Sequence, residues 1–520
     1  MGSTLRHVEK AKMALRYGVG LPRFFFRPLS LEECYALVRR RLAEREQNFL
    51  AQLRRSVYFN PQSPYYKLFK NAGCEYGDVE RMLRQKGLEG TCIALGEAGI
   101  YITIEEYKGK KPVQRPGLCF QARPEDFDNL KVRATLQETS GGTRGQSVPN
   151  RRDFTFVKDE AAAAGVMFDE LGLRKGSFVL CHNILAVMLL ATKAGMPPAK
   201  WFLPLSSNKN RLASYYAALV GKALGLGLAR PERFSRQEAL HVSEWLARRR
   251  SVVPRSGVWT SASSAVRICL AAQESGLDIS GTHFITGSEP LTRAREQVIR
   301  AAGCTATARY ASTETGRMGY GCTNSTEDDV HVLKGAVAMT QQPHRVGSTG
   351  VTVKALRITS LLPTAPKILI NLETGDYGTL ETRRCGCRFD ELGLTEHLKG
   401  VRSYEKLTSE GMTFFAGDLA RIVEEVLPSK FGGSPLDYQA IEEEGRNGLS
   451  HLAILVSPRL GEIDEFSLVN TVLMELKSAQ GSSGRMMAAI WEEAGTVRVR
   501  RQDPHPTKGG KVFPFQVSTN

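Results

Sequence analysis

The chain has 520 residues, more than one hydrophobic core usually supports, so two or three domains are expected. Hydrophobic residues at 42% and charged residues at 24% fit an ordinary globular protein, not a disordered or fibrous one. The 70 Lys+Arg against 54 Asp+Glu give a formal net charge of +16, which suits polyanionic ligands such as nucleotides or pyrophosphate. This charge is dispersed, however, and only Arg248, Arg249 and Arg250 form a tight cluster. With neither zinc-finger spacing nor an aromatic RNA-binding signature, nucleic acid is not expected as a partner. The ten cysteines are scattered and suggest no disulfide framework. Cys385-Gly386-Cys387 is the one close pair. With no second pair at a suitable spacing, a structural zinc site is not expected. Arg6, Lys10, Lys12 and Arg16 are followed by no apolar core and cleavage site, which argues against a signal peptide. The most apolar stretch, 178–190, is interrupted by His182 and Asn183 and is too short to span a bilayer. A cytoplasmic protein without a membrane span is expected.

In chain order, residues 31–59 are predicted as one long charged helix, with Leu37, Leu42, Phe49, Leu50 and Leu53 at helical spacing. The segment SPYYKLFKNAG (63–73) follows, and then a polar turn around 108–112. From 134 to 375 the pattern alternates. Helices are predicted at 154–171 and 235–250, the second opening on a capping-box pattern, Ser235 with Glu238. Strands are predicted at 177–180, 258–261, 283–286 and 307–310. Such alternation predicts a mostly parallel sheet covered on both faces, with ligands in loops at the carboxyl ends of its strands. Beyond Arg402 a smaller α/β unit is expected, with helices at 417–426 and 465–480 and strands at 451–457 and 496–500.

Four loops carry candidate chemistry. Residues 139–147 read TSGGTRGQS, between a predicted strand at 130–136 and the helix from near Phe154. Gly141, Gly142 and Gly145 tolerate positive φ and let backbone N–H groups turn inward. Thr139, Ser140 and Thr143 add hydroxyls and Arg144 a fixed charge, making a cradle for phosphates; a solvated Gly/Ser turn is the alternative. It is not a Walker loop, since no Gly-Lys-Ser/Thr follows. The second loop is Tyr310-Ala311-Ser312-Thr313-Glu314, at the end of a predicted strand. Tyr310 there suits base stacking, Thr313 a phosphate oxygen and Glu314 a Mg2+ ion, or else Thr313 and Glu314 open a helix as cap and first turn. The third, Glu373-Thr374-Gly375-Asp376, offers a carboxylate to ribose hydroxyls, or forms an Asx turn. The fourth is Thr507-Lys508-Gly509-Gly510-Lys511.

In this order the motifs resemble those of the adenylate-forming superfamily of acyl-CoA synthetases, and within it the phenylacetate–CoA ligase branch. Thr139–Gly145 is similar to the family's phosphate loop, Tyr310–Glu314 to its aromatic-Gly-x-Ser/Thr-Glu turn, and Thr374-Gly375-Asp376 to its Thr-Gly-Asp. Arg402-Ser403 resembles the hinge and Gly510-Lys511 the C-terminal Gly-Lys. SPYYKLFKNAG, the Cys-Gly-Cys segment and GMTFFA (411–416) resemble the branch in particular. The resemblance covers roughly residues 50 to 515. It implies a large N-terminal domain over 1–400, with a helical arm at 1–60, and a small mobile lid over 401–520.

The implied activity is ATP-dependent activation of a carboxylic acid as acyl-AMP, with pyrophosphate released and the acyl group then passed to CoA. The alternative acceptors are an amine, a carrier protein or a partner cysteine; a binding module without catalysis is the third class. ATP, Mg2+ and CoA are the implied cofactors, a small carboxylic acid the substrate, and a homodimer is among the assemblies expected. By the same resemblance, Thr139, Ser140 and Thr143 hold phosphates and Glu314 the Mg2+. Ser288, Glu289 and Tyr310 wall the adenine, Asp376 grips the ribose, Arg402 sits at the hinge, and Lys511 bridges the carboxylate and the α-phosphate. The acyl pocket is expected around His182, Asn183, Trp259, Ser261 and Ser263. The chain departs from the family at Gly141, Arg144 and Ala311, and at Tyr404, which stands where the family has a hinge Asp or Lys. Tyr404 leaves the second half-reaction most open.

Overall fold

A computed structural model describes residues 2–139, 148–181, 185–204, 210–234, 239–346, 351–403, 415–444, 450–478, 492, 497–507 and 510–517. Among them, thirteen strands form one large sheet. Half of it is parallel, in the order Pro231–Phe234, Lys200–Pro204, Ser177–Cys181, Ser256–Thr260, Thr282–Gly287, Thr305–Ser312. Helices return the chain between these strands, including Leu185–Lys193, Arg211–Ala223, Ala262–Glu274 and Arg293–Ala301. The strands Ser177–Cys181, Ser256–Thr260 and Thr282–Gly287 are buried along their whole length, as expected when both faces are covered. Period-two alternation divides their side chains between two cores. Leu180, Trp201, Trp259 and Ile285 enter one. Val179, Phe202, Val258 and Phe284 enter the other.

Past Thr305–Ser312 the same sheet continues antiparallel through Gly316–Tyr320, Val330–Val332, Glu396–Ser403, Leu372–Thr382, Val351–Ser360 and Val337–Val346. No long helix separates these strands, so the alternation seen in the sequence does not foresee them. A second sheet of four strands joins Val497–Arg501, Ser450–Val456, Tyr438–Glu444 and Phe515–Val517. Leu419, Ile422, Leu468, Val472 and Leu476 fill its core.

Two expected elements differ. The helix foreseen over 31–59 is Leu31–Ala43, capped by a Ser30–Glu33 capping box, then Arg45–Leu53 and a wider π turn at Arg54–Tyr58. Glu44, at φ −85° and ψ 2°, interrupts it. The strand foreseen at 130–136 begins only at Leu136 and runs to Thr139. Ser235, Glu238 and Tyr404 lie outside the described residues. No described helix is long and apolar enough to cross a membrane.

A buried histidine in the parallel strands gives the fold a measurable pH response. His283 bonds Thr305 Oγ1 through Nδ1 (2.8 Å) and Thr307 Oγ1 through Nε2 (3.0 Å). Burial, with Arg255 adding to it, pushes its pKa down to about 4. The unfolded chain therefore takes up this proton as pH falls through 6.5, whereas the folded chain resists until about 4. The stabilising contribution is complete above pH 6.5 and is lost across that window, about 3 kcal/mol in all at about 1.4 kcal/mol per pH unit. Urea unfolding at pH 7 and pH 4.5 should show this loss in the wild type. His283→Gln should flatten the dependence, and an unchanged slope would contradict this role.

Candidate functional site

The Gly-rich loop closes a β-hairpin. Leu136–Thr139 pairs antiparallel with Pro149–Arg152, with Thr139 opposite Pro149. Ser140, Gly141, Gly142, Thr143, Arg144 and Gly145 lie outside the described residues, and of Thr139 only the backbone placement is described. The hairpin is tied to the Tyr310–Glu314 segment. Both Asn150 Nδ2 and Arg152 Nη2 donate to the Thr313 carbonyl, the latter at 3.1 Å. That segment opens no helix. Tyr310, Ala311 and Ser312 end the strand Thr305–Ser312, and Thr313, Glu314 and Thr315 turn tightly into Gly316–Tyr320. Ser312 Oγ takes the Thr315 N–H at 3.1 Å, and Gly316 adopts φ 82°. A Cβ there would lie 2.5 Å from Glu160 Oε1 and 2.7 Å from Phe156 Cζ, so only glycine fits.

Glu160 locks this corner from below. It accepts from Arg317 Nη1 (2.7 Å) and the Arg317 amide (3.1 Å), and lies 3.4 Å from Arg152 Nη1. Burial opposes its charge, but Arg317 and then Arg152 hold the carboxyl below its usual range. Arg152 in turn reaches Glu138 at 3.2 Å, so the hairpin and the turn share one buried ionic network.

The Thr374-Gly375-Asp376 segment lies within the strand Leu372–Thr382, where Gly375 has φ 80° and the register against both neighbouring strands shifts. Buried Glu373 anchors it through Arg357 Nη2 (3.2 Å) and His344 Nδ1 (2.7 Å). The SPYYKLFKNAG segment fixes the chain just before this strand, since the phenol oxygen of buried Tyr65 accepts the Ile370 N–H at 2.9 Å. Asp376 then meets Tyr310, whose hydroxyl donates to Asp376 Oδ2 at 2.9 Å. Burial, together with the Asp376 charge, pushes the Tyr310 phenol well above its usual pKa, so it remains a donor. Arg402 lies on the adjoining strand opposite Tyr377, and its Nη1 pairs with Asp328 Oδ2 at 2.6 Å. Glu314 is half-buried, and its charge acts on Tyr107 and Tyr310.

A third group meets the C-terminal segment. Glu289, just past the strand Thr282–Gly287, accepts from the Ser263 amide and hydroxyl (both 2.7 Å) and from Arg295 Nη1 (3.0 Å). Burial opposes its ionisation, but Arg295, Ser263 and then Lys511 hold its carboxyl below the usual range. Arg295 Nη2 donates to the Val512 carbonyl (2.7 Å) and Arg267 Nη1 to the Gly510 carbonyl (2.7 Å), while the Val512 N–H reaches Ser263 Oγ (3.2 Å). Lys511 sits in a tight turn in which its carbonyl accepts from the Thr507 amide at 2.8 Å. Arg295 also binds Glu424 Oε1 at 2.9 Å, a second link to the C-terminal region. Ser288 is exposed at φ 72°, a left-handed backbone unusual for serine.

Of the residues expected around the acyl group, His182 and Asn183 lie outside the described residues. Ser261 caps the helix Ala262–Glu274 through the Ser264 N–H (3.3 Å). Trp259 is fully buried, with the Arg309 guanidinium 4.5 Å above its ring. Sequence reasoning missed Arg309. Burial, then the like charge of Arg317, pushes it down to about 9, and its Nε and Nη2 have no hydrogen-bond partner among the described residues. A lone charge in the small-residue run ATARY was the available signal. Thus a phenol–carboxylate pair, a half-buried acid, a buried cation and a docked lysine loop cluster where the parallel strands end. Of these, the buried cation and the lysine loop are suited to a polyanion and to stabilising charge that builds on its oxygens.

No family model matches the chain, and no curated protein matches it in sequence. Among solved structures it is similar to a 2-hydroxyisobutyryl-CoA ligase in the postadenylation state. The complex with R3-HIB-AMP aligns at a TM-score of 0.53 and 12% identity, over 96% of this chain and 92% of that one. The complex with 2-HIB-AMP aligns at 0.51 and 11%, over 94% and 89%. What the likeness carries is architecture: the chain has the adenylate-forming enzyme fold, a large α/β region followed by a small C-terminal α/β sheet.

Proposed function

We propose that this protein activates a carboxylic acid with ATP, forming acyl-AMP and pyrophosphate, and passes the acyl group to CoA. The observation that carries the reading is the docking of Gly510–Val512 onto Ser263, Arg267 and Arg295, with the Lys511 charge felt at Glu289. A lysine near the end of the chain is thereby brought to the carboxyl ends of the parallel strands, where ligands of such sheets bind. The acid's carboxylate oxygen attacks the α-phosphorus, the bond to the β-phosphate oxygen breaks, and pyrophosphate leaves. Lys511 neutralises charge on the α-phosphate oxygens, and no protein nucleophile is required. In this reading Thr139, Ser140 and Thr143 cradle the outer phosphates, Tyr310 and Ser288 flank the base, and Asp376 takes the ribose hydroxyls. The small C-terminal unit from residue 401 acts as the lid. A Mg2+ ion fits at Glu314, whose carboxylate has no cationic partner among the described residues, and would neutralise phosphate charge there.

Within the superfamily we assign the chain to the phenylacetate–CoA ligase branch, on SPYYKLFKNAG and GMTFFA, and expect an aryl or arylacetic acid. Tyr404 at the hinge position favours one second reading, transfer to an amine, carrier protein or partner cysteine. The test is pyrophosphate release with ATP, Mg2+ and an aryl-acid library, with and without CoA. CoA-dependent turnover supports CoA as acceptor. Acid-dependent release indifferent to CoA supports the second reading, and silence across the library would overturn both.

Asp376→Ala is expected to weaken ATP binding by about 1.5–3 kcal/mol, the worth of charge-assisted hydrogen bonds to the ribose. Tyr310→Phe removes only the phenol donor to Asp376 and should cost less. Calorimetric titration with ATP measures both, and an unchanged affinity in Asp376→Ala would remove this residue from the site.

A further inference from the structure

At the opposite end of the strand Gly316–Tyr320 from the Thr313–Thr315 turn lies a cluster that the ligase reading does not use. Cys322 follows that strand, and His331 lies on the return strand Val330–Val332. Cys385 and Cys387 lie between Leu372–Thr382 and the short helix Arg388–Glu391. The three sulfurs and one imidazole nitrogen lie within 4.8 Å of one another. Cys322 Sγ is 3.8 Å from Cys385 Sγ, and His331 Nε2 is 3.4 Å from Cys385 Sγ and 3.2 Å from Cys387 Sγ. A tetrahedral Zn2+ with bonds of about 2.3 Å to sulfur and about 2.0 Å to nitrogen sets sulfurs about 3.8 Å apart and sulfur about 3.5 Å from nitrogen. The Cys322–Cys385, His331–Cys385 and His331–Cys387 distances lie close to these spacings.

The surroundings prepare each ligand. His331 Nδ1 lies 2.6 Å from the Leu394 carbonyl, which can only accept, so the proton sits on Nδ1 and the Nε2 lone pair faces the sulfurs. Gly386, at φ 74°, turns Cys385 and Cys387 toward one point. Asp390 Oδ2 holds that turn through the amides of Cys385 (3.1 Å) and Gly386 (2.9 Å). The Cys322 amide is fixed by Ser325 Oγ at 2.9 Å. Cys322, His331 and Cys387 are buried, and only Cys385 is partly exposed.

We propose that Cys322, His331, Cys385 and Cys387 bind one structural Zn2+ ion. Binding releases three thiol protons and leaves three thiolates, one neutral imidazole and the metal, a net charge of −1. Soft thiolates select zinc over Mg2+ or Ca2+. Four protein ligands close the coordination sphere and leave no position for a substrate, so the ion is structural. It ties the 316–332 hairpin to a segment 54 residues further along the chain. The second pair missing near Cys385 and Cys387 in the sequence is supplied in space by Cys322 and His331.

The test is elemental analysis of the full chain, grown with zinc and purified without chelator. One zinc per chain is expected, lost in Cys385→Ser and in Cys387→Ser and kept in Cys119→Ser, which alters an exposed cysteine outside the cluster. Because a ligand variant can fail to fold, the wild type is also stripped and titrated with Co2+ alone. Tetrahedral ligand-field bands with thiolate charge transfer are expected at one equivalent, and readded zinc should raise the thermal midpoint. Zinc-free protein after supplementation, zinc retained by both variants, or an octahedral cobalt spectrum would overturn the proposal. None of these readouts depends on ligase activity.

Discussion

Lys511→Ala is expected to slow acid- and ATP-dependent pyrophosphate release by about 10²–10³-fold, or about 2.7–4 kcal/mol, the usual cost of removing one preorganised donor from a developing oxyanion. The backbone around it is held by groups the substitution leaves in place. Arg267 binds the Gly510 carbonyl, Arg295 the Val512 carbonyl, Ser263 the Val512 amide, and the Thr507 amide the Lys511 carbonyl. Alanine therefore removes the ammonium and leaves the loop docked. Presynthesised acyl-AMP with CoA should then turn over at a near-normal rate, because the α-phosphate has already been attacked. Equal loss in both assays would indicate a folding defect, and no loss in either would make Lys511 a surface residue.

Glu160→Gln is expected to lower unfolding stability by about 3–5 kcal/mol, because it leaves the buried Arg152 and Arg317 guanidiniums without their shared carboxylate. Arg152 holds the hairpin of the Gly-rich loop to the Thr313 carbonyl, and Arg317 stands next to Gly316 on the strand that leaves the turn. The loss should therefore appear in chemical denaturation and also as a weakened response to ATP below the unfolding transition. A change under about 1 kcal/mol would show that water enters and rehydrates the pair, contrary to the burial of Glu160, Arg152 and Arg317.

Local pattern revealed the parallel half of the sheet, because strands buried on both faces read as short apolar runs between amphipathic helices. The order of the four loops likewise pointed to a shared site, and two of them do meet, through Tyr310 and Asp376. The turn after Tyr310 was harder to read. Thr-Glu-Thr-Gly resembles a helix opening, and the hairpin is set by Gly316 at φ 82° against Phe156 and Glu160, a contact between distant segments. Arg309 stayed hidden for a similar reason: only the folded chain places it over Trp259, with Nε and Nη2 lacking a hydrogen-bond partner among the described residues. Of the cysteine–histidine cluster only Cys385-Gly386-Cys387 was local in the sequence; Cys322 and His331 come from the distant 316–332 hairpin. The reach of Arg295 to Val512 is similarly invisible until both sheets are in place.

The central claim is that carboxylate oxygen attacks the α-phosphorus of ATP. Acid-dependent exchange of labelled pyrophosphate into ATP, with no acceptor present, tests it most directly, because only reversible formation of an acyl adenylate returns pyrophosphate to ATP. The account predicts label in ATP when an accepted acid and Mg2+ are present, none without the acid, and about 10²–10³-fold less with Lys511→Ala. Acid-dependent formation of ADP and phosphate, with no label in ATP, would contradict it.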